Sequence, residues 1–287
     1  MKKLFFTLIL IFSSIMVVGA TSAIKIFIFL LFLVIIANFF KNYGNKCSFG
    51  KTGNKVRKDV PYFRDIPCDK DVFYAYWVAY NYNLIDKKED FFGAVLLKWI
   101  YKGNVKLKKV TKDGIFNDRE LINIYFIKRP MNIPELEMEV KLYDYMYAAS
   151  FNGKLEQNEF KEWCINNYQM IFRWFDECLY KETLKLVDKG KITYKKGKSY
   201  NLYKCFEVNS SMMEIAEQMA GLKKYLQQFS NIDSKELIEI GLLNEYLIYA
   251  QIFGIADKID NQFKKLYPEV IKDVDDFSNI VFIRSIF

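Results

Sequence analysis

Residue types that commonly carry catalysis are scarce in this chain of 287 residues. Histidine is absent, which removes the usual general base near neutral pH and excludes His-containing triads and His-ligated metal sites. Five cysteines are scattered along the chain without a Cys-x-x-Cys pair: Cys47, Cys68, Cys164, Cys178 and Cys205. An odd, dispersed set is typical of free thiols in a reducing compartment. We therefore expect no cofactor, and we predict that the protein is not an enzyme.

One segment, Ala148–Glu159, has the spacing of a calcium-binding loop. Gly153 takes the sixth position and a glutamate takes the twelfth, and these positions define the loop's turn and its bidentate ligand. The candidate oxygen ligands are Asn152, Glu156 and Glu159. The first position, which is normally Asp, is Ala148, and loss of that carboxylate should greatly weaken calcium binding. The favoured interpretation is a corner between two helices without a metal.

Other acidic residues are numerous, but no spacing pairs them for catalysis. Examples are Glu135, Glu137, Glu139, Asp144, Asp176 and Glu177. Paired carboxylates catalyse only where their surroundings separate the two pKa values, and a sequence does not show those surroundings. An unrecognised carboxylate-based enzyme is therefore kept as an alternative. Asp144 and Glu245 stand among aromatic and aliphatic residues, and we expect them to be buried structural anchors.

The net charge of +8 belongs to the N-terminal part of the chain. Nine of the 42 basic residues precede Asp59 and no acid does, so residues 59–287 carry 33 basic against 34 acidic residues. This balance argues against a nucleic-acid partner for the body. The basic residues that follow the apolar N-terminal stretch are Lys41, Lys46, Lys51, Lys55, Arg57 and Lys58. They are expected to meet anionic lipid headgroups, at about 1 kcal/mol for each residue near the surface.

Residues 4–40 predict a membrane anchor, because Lys25 is the only charge among them. One straight helix of that length would measure roughly 55 Å, whereas the hydrocarbon core is about 30 Å thick. We predict two transmembrane helices, about 4–19 and 24–40, with a turn between them. The alternative is a cleaved signal peptide followed by a single anchor. In both cases the positive-inside rule places residues 41–287 in the cytoplasm, beneath the cell membrane.

The remaining pattern predicts a mainly α (α+β) protein. A flexible basic linker is expected over 41–60. Two similar units, 61–131 and 132–208, then each show helices followed by a β-hairpin, which is the plan of a winged-helix unit. We therefore predict two degenerate winged-helix-like units with β-hairpin wings, followed by a C-terminal helical bundle over 209–270 and a tail over 271–287.

Lysines are frequent in both predicted wings: Lys106, Lys108, Lys109, Lys112, Lys191, Lys195, Lys196 and Lys198. On a DNA-binding winged helix they would neutralise phosphates, so a membrane-tethered nucleic-acid-binding protein is a second alternative. The first unit's recognition-helix positions suit base reading poorly, since they are Val95, Leu96, Trp99 and Ile100. Solvated hairpins or a protein-contact face are the favoured interpretation.

The segment Asp233–Phe253 predicts a helix that is buried on most sides, because its apolar positions cover more than one narrow stripe. Leu247 is expected in its core, and Gly254 is expected to end it. The alternative is that its tyrosine-rich face is an exposed docking site.

The C-terminal third carries a family resemblance. Its most specific segments are Ala220–Leu226, Glu245–Ala250, Phe253–Lys258 and Lys264–Pro268, and a weaker likeness lies at Phe91–Gly103. Over roughly residues 61–270 the chain resembles the domain of unknown function 2207 family, the YciQ-like predicted membrane proteins of bacteria and archaea. The resemblance implies membrane association and supplies no catalytic residues. The preferred hypothesis is a membrane-anchored cytoplasmic interaction, regulatory or scaffolding protein whose partner is another protein.

Overall fold

A computed structural model of the chain describes residues 47–112, 119–195, 205–228 and 242–256. Both predicted transmembrane helices and the predicted tail lie outside these ranges. Within them, no helix has the length and apolarity needed to cross a bilayer. Nearly all of the described residues belong to one compact unit, which is formed by Cys47–Tyr194 with Glu207–Phe287. Of the other unit, Met1–Lys46 with Lys195–Phe206, the structure describes only strand ends at Lys195 and at Cys205 and Phe206.

Seven α-helices lie in the described residues, as the mainly helical prediction requires. They are α1 Val72–Asn81, α2 Glu89–Tyr101, α3 Glu137–Ala148, α4 Gln157–Asn166, α5 Tyr168–Asp188, α6 Ser211–Gln227 and α7 Leu243–Ile252. Short 3-10 turns occupy Cys68–Lys70 and Pro134–Leu136. The start of α1 is set by Asp71, whose carboxylate accepts hydrogen bonds from the backbone N–H groups of Phe73 (2.8 Å) and Tyr74 (3.3 Å).

Six strands in the described ranges complete the α+β fold. They are β1 Cys47–Ser48, β2 Val105–Lys112, β3 Arg119–Phe126, β4 Lys154–Glu156, β5 Ile192–Lys195 and β6 Cys205–Val208. Strands β2 and β3 pair antiparallel, from Val105 opposite Phe126 to Lys112 opposite Arg119, which confirms the first predicted pair of strands. The two sheets have the orders β2-β3-β4 and β1-β6-β5.

An aromatic cluster forms the core between α1, α2 and α5. The ring of Tyr76 stacks on Phe91 at a centroid distance of 3.9 Å, and Phe91 stacks on Trp174 at 5.5 Å. One hydrogen bond joins two helices of this core, while the buried hydroxyl group of Tyr76 has no hydrogen-bond partner among the described residues. Trp77 Nε1 donates to Thr183 Oγ1 (2.8 Å), so α1 and α5 share a hydrogen bond within their packed surfaces.

Helix α7 is a core helix that packs against α2, α1 and α6. Leu247 is fully buried, which confirms its predicted place, and Gly254 follows the helix with a positive φ of 69°. The alternative of an exposed tyrosine-rich face is wrong, because Tyr246 and Tyr249 are each 1% exposed. Their hydroxyl groups donate to the backbone carbonyls of Arg64 (2.9 Å) and Pro67 (2.7 Å). The C-terminal helices therefore share one core with α1 and α2.

Residues 47–60 pack on the body and so differ from the flexible linker expected there. Val60 is buried, and its carbonyl accepts a hydrogen bond from Lys224 Nζ at 3.0 Å. Arg57 pairs with Glu217 at 3.0 Å, and Asn54 donates to the carbonyl of Asn81 at 2.9 Å. The other described members of the basic flank, Lys51, Lys55 and Lys58, are exposed. Lys41 and Lys46 lie outside the described residues.

Candidate functional site

The residues of the calcium-loop pattern serve the fold. Asn152 and Gly153 form a left-handed turn with φ values of 48° and 72°, and the turn leads into β4, so the predicted corner contains a short strand. Glu156 pairs with Lys154 at 2.8 Å, and the Glu159 side chain accepts from the Glu156 backbone N–H at 3.0 Å as part of a capping box for α4. Among the described residues, no group of three or more acids or cysteines is placed to hold a metal ion.

The predicted wings offer no direct evidence of a ligand. Lys106 and Lys108 are exposed, and Lys108 Nζ lies 5.2 Å from the ring centroid of Tyr125. Lys196 and Lys198 lie outside the described residues. The recognition-helix positions that suited base reading poorly are buried in α2: Val95, Leu96, Trp99 and Ile100. The nucleic-acid alternative stays a prediction without structural support from this helix.

The buried acids differ from those expected. Asp144 is about half exposed and forms a bidentate pair with Arg129 at 2.6 and 2.8 Å, and Glu245 is one third exposed, so neither is a buried anchor. The buried carboxylates are those of Glu139 and Glu182. Glu139 is fully partnered, since it pairs with Lys98 and accepts from Trp99 Nε1 at 3.2 Å. The surroundings of Glu182 are different and are described below.

One cavity beside the described residues is a groove that we call the Gln251 groove. Its volume is about 760 Å³, within the range of ligand sites. Three parts of the fold meet there: the turn that leads into α2, the junction of α4 and α5, and the end of α7. Its described lining is Asp86, Lys87, Glu89, Asp90, Cys164, Tyr168, Ile171, Phe172, Phe175, Gln251, Phe253 and Gly254.

The rim of the Gln251 groove is aromatic and open to solvent. Tyr168 is 55% exposed and Phe172 is 52% exposed, and their rings meet edge to face at a centroid distance of 6.4 Å. Deeper in the groove, Ile171 and Phe175 are buried. The groove thus combines an exposed apolar rim with a wall that belongs to the core.

Gln251 is the unusual residue of this wall. It is 1% exposed, and its Oε1 accepts no hydrogen bond in the part of the chain that the structure describes. A buried polar atom without a partner costs free energy comparable to a lost hydrogen bond, which marks it for explanation. The neighbouring thiol does not add reactivity, because burial raises the pKa of Cys164 to about 12. The groove therefore has the features of a binding site rather than of a nucleophilic site.

A second cavity surrounds Glu182 and is called the Glu182 cavity. Its volume is about 490 Å³, and its described lining is Asp71, Phe73, Pro134, Glu135, Glu137, Met138, Cys178, Lys181, Glu182, Leu184, Lys185, Asp188 and Lys189. Oε2 of Glu182 lies 3.5 Å from Lys185 Nζ, which is too long for a normal hydrogen bond. Burial, and then the carboxylate of Asp71, raises the pKa of Glu182 to about 7, while Lys185 offsets part of this increase.

Sequence reasoning singled out neither Gln251 nor Glu182. Gln251 stands inside the apolar run Tyr249–Phe253, and a lone amide in such a run is a usable signal. Glu182 stands in a helix rich in both charges, where nothing in the spacing separates it from its exposed neighbours. Its burial is a tertiary effect, because α5 packs against α1.

The comparisons with known proteins agree with the resemblance in the C-terminal part. The fold is that of a mixed α+β protein, and residues 202–263 match the family described as predicted membrane protein (DUF2207) C-terminal domain. Helices α6 and α7, and with them Gln251, lie in the matched range. This match supports membrane localisation and identifies no specific activity. No curated protein and no solved structure matches the chain.

Proposed function

We propose that the chain is a membrane-anchored cytoplasmic protein that binds another protein through the Gln251 groove, in a regulatory or scaffolding role. The observation that carries the proposal is the exposed aromatic rim of the groove, formed by Tyr168 and Phe172 above a wall of core residues. Aromatic side chains around a concave apolar wall are typical anchors of protein interfaces. The family match of residues 202–263 supports the membrane part of the proposal.

The prediction of a membrane anchor, and of its orientation, rests on the sequence. The predicted helices at 4–19 and 24–40 would hold the body at the membrane, and the basic flank would face the cytoplasm. Protease added to spheroplasts should leave residues 47–256 intact, and detergent should then permit their digestion. Digestion without detergent would contradict the cytoplasmic orientation while leaving the docking proposal open to the next test.

Site-specific photo-crosslinking in cells tests the docking proposal. A photoreactive phenylalanine derivative placed at Phe172 should give a discrete crosslinked product from isolated membranes. The matched control is the same derivative at Tyr194, which is 45% exposed on β5 and lies outside the groove lining. A product from Phe172 and none from Tyr194 supports the proposal. Equal products at both positions, or none at either, would contradict it.

The sheets support a finer inference about the two predicted winged-helix-like units. Strand β4 lies between α3 and α4 in the chain, yet it pairs with β3 of the preceding hairpin, with Ile124 opposite Leu155. Strand β1 precedes α1 and lies next to β6. We infer that each wing takes its third strand from outside its own unit. Because β4 lies in the second predicted unit and β1 in the predicted linker, the two units would not be independent of the segments around them.

A further inference from the structure

We infer that the Gln251 groove receives a lysine or arginine side chain, presented by the partner protein among apolar residues. This inference rests on the proposed docking function and adds the chemistry of the partner. Three independent properties of the groove favour a cationic N–H donor: its charge, its aromatic faces and its buried acceptor.

The charge of the lining is negative. Its described residues include the carboxylates of Asp86, Glu89 and Asp90 and a single lysine, Lys87. The next residue, Lys88, is directed elsewhere, since its ammonium group lies 3.1 Å from Asp176 and 5.1 Å from the ring centroid of Tyr80. An anionic segment would be repelled by this lining, whereas a basic side chain would be attracted.

One further lysine lies near the groove without reversing its charge. Lys223 donates to the backbone carbonyl of Leu84 at 2.6 Å, and its ammonium group lies 5.9 Å from the ring centroid of Phe253. Its charge interacts with that of Asp86 and so offsets part of it. Among the described residues, two lysines against three carboxylates still leave a net negative charge at the groove.

The rim and the wall supply the other two properties. The exposed rings of Tyr168 and Phe172 offer π faces, on which a guanidinium or ammonium group is held by about 0.5–1 kcal/mol at exposed sites. The Oε1 of Gln251 is an acceptor that has no donor in the described residues, and because it is shielded from solvent, the amide must rotate toward the groove before a ligand can reach it. An arginine brings five N–H donors and a lysine brings three, so either can satisfy an oxygen that the described part of the chain leaves unpaired.

The test uses the full chain in nanodiscs and a phage-displayed library of random twelve-residue peptides. We expect selection against empty nanodiscs to enrich peptides with a lysine or arginine beside apolar residues. The binding of one enriched peptide is then measured for chain variants. Gln251→Leu should raise Kd about tenfold, the loss expected for a hydrogen bond to a charged group. Glu89→Gln should raise Kd about threefold, as for a half-buried charge pair.

The matched control is Glu214→Gln. Glu89 and Glu214 are both glutamates in the first turn of a helix, so both substitutions remove the same interaction with a helix N-terminus, but only Glu89 lines the groove. Peptide versions complete the test for an arginine-containing ligand. Citrulline keeps the N–H donors without the charge, and norleucine removes both. Binding should weaken in the order arginine, citrulline, norleucine.

The possible results separate the two proposals. Enriched peptides without a basic residue that lose binding on Phe172→Ala would overturn the cationic partner and leave the docking function standing. An enriched basic peptide whose Kd is the same for the Glu89→Gln, Gln251→Leu and Glu214→Gln proteins would also overturn it. No peptide enriched above empty nanodiscs would overturn both proposals. Self-association of the full chain that Phe172→Ala abolishes would identify a second copy as the occupant and overturn the inferred partner.

Discussion

The Gln251 groove and the Glu182 cavity each contain a buried side-chain oxygen without a hydrogen-bond donor in the described residues. In the cavity the oxygen belongs to a carboxyl group whose pKa is raised to about 7, so a proton can remove its charge. In the groove the oxygen belongs to an amide, which does not titrate. Only a donor from elsewhere can satisfy it. An unpaired buried amide beside an open rim is therefore the stronger sign of a ligand.

The two regions also differ in charge. The described lining of the Glu182 cavity contains Lys181, Lys185 and Lys189 among its acids, so opposite charges are interspersed. The groove has three carboxylates and one lysine in its described lining. The cavity can reach a neutral state through its own residues and solvent protons. The groove gains most from an added cation, and the predictions below test this difference in order of expected size.

The largest effect is expected from Leu247→Ala, which removes the support of the helix that carries Gln251. Leu247 is fully buried in α7, so truncation should lower the free energy of unfolding by about 2–5 kcal/mol. Thermal unfolding of the full chain in detergent, followed by circular dichroism, measures the loss. Asn244→Ala, at an exposed position of the same helix, is the control. An unchanged melting temperature for Leu247→Ala would remove α7 from the core.

The second effect is a pH-dependent gain from Glu182→Gln. Burial raises the pKa of Glu182 to about 7, from about 4.3 in an unfolded chain. Between these values the folded chain holds a proton that the unfolded chain has released, so stability falls as pH rises and the loss is complete above pH 7. Glutamine avoids this loss. Its advantage should be near zero at pH 4 and about 2–3 kcal/mol at pH 8.

Unfolding curves at a series of pH values check this prediction. Glu139→Gln is the contrasting variant, because Glu139 is equally buried but is paired with Lys98. It should lower stability, by about 1–3 kcal/mol at pH 8, through the loss of that pair. If both variants shift stability in the same direction at pH 8, the distinction between the closely paired Glu139 and the weakly paired Glu182 is lost.

The third effect is a smaller gain from Gln251→Leu. Replacing the unpaired amide with an apolar side chain of similar size should raise the free energy of unfolding by about 1 kcal/mol in the absence of a ligand. Melting temperatures of the two purified full-length proteins measure it. A variant that is more stable yet binds less would mean that the amide is retained for binding. A marked loss of stability would instead show that Gln251 is a structural residue.

The sequence predicts the helices and the first hairpin well because their signals are local. Apolar periodicity around Leu247 and the Gly254 break are examples, and both agree with the structure. The pairing of β4 with β3 is not local, since the two strands are separated in the chain by α3 and meet by tertiary contact rather than through a hairpin turn. The surroundings of the Asp144 side chain could not be predicted from local sequence either. Its apolar neighbours in sequence suggested burial, but its position on α3 points it to Arg129 at the surface.

The candidate site could not be predicted from the sequence, because it too depends on tertiary contacts. Its lining comes from three distant segments, at 86–90, 164–175 and 251–254, and only the fold brings them together. None of these segments contains a motif with catalytic or ligand spacing. Gln251 gains its significance from burial and from the missing donor, and neither property can be read from residue types alone.

The most direct test of the cation-binding docking groove compares photo-crosslinking at Phe172 in variants of the Gln251 groove and of the Glu182 cavity. The photoreactive residue at Phe172 is introduced into three backgrounds, Glu89→Gln, Glu214→Gln and Glu182→Gln, and crosslinked product is measured in isolated membranes at equal protein levels. We predict that Glu89→Gln lowers the amount of product by up to about threefold, in line with the expected rise in Kd, because it removes charge from the groove. Glu214→Gln and Glu182→Gln should retain it. Equal product in all three backgrounds, or an equal loss in all three, would contradict a cation-binding docking groove.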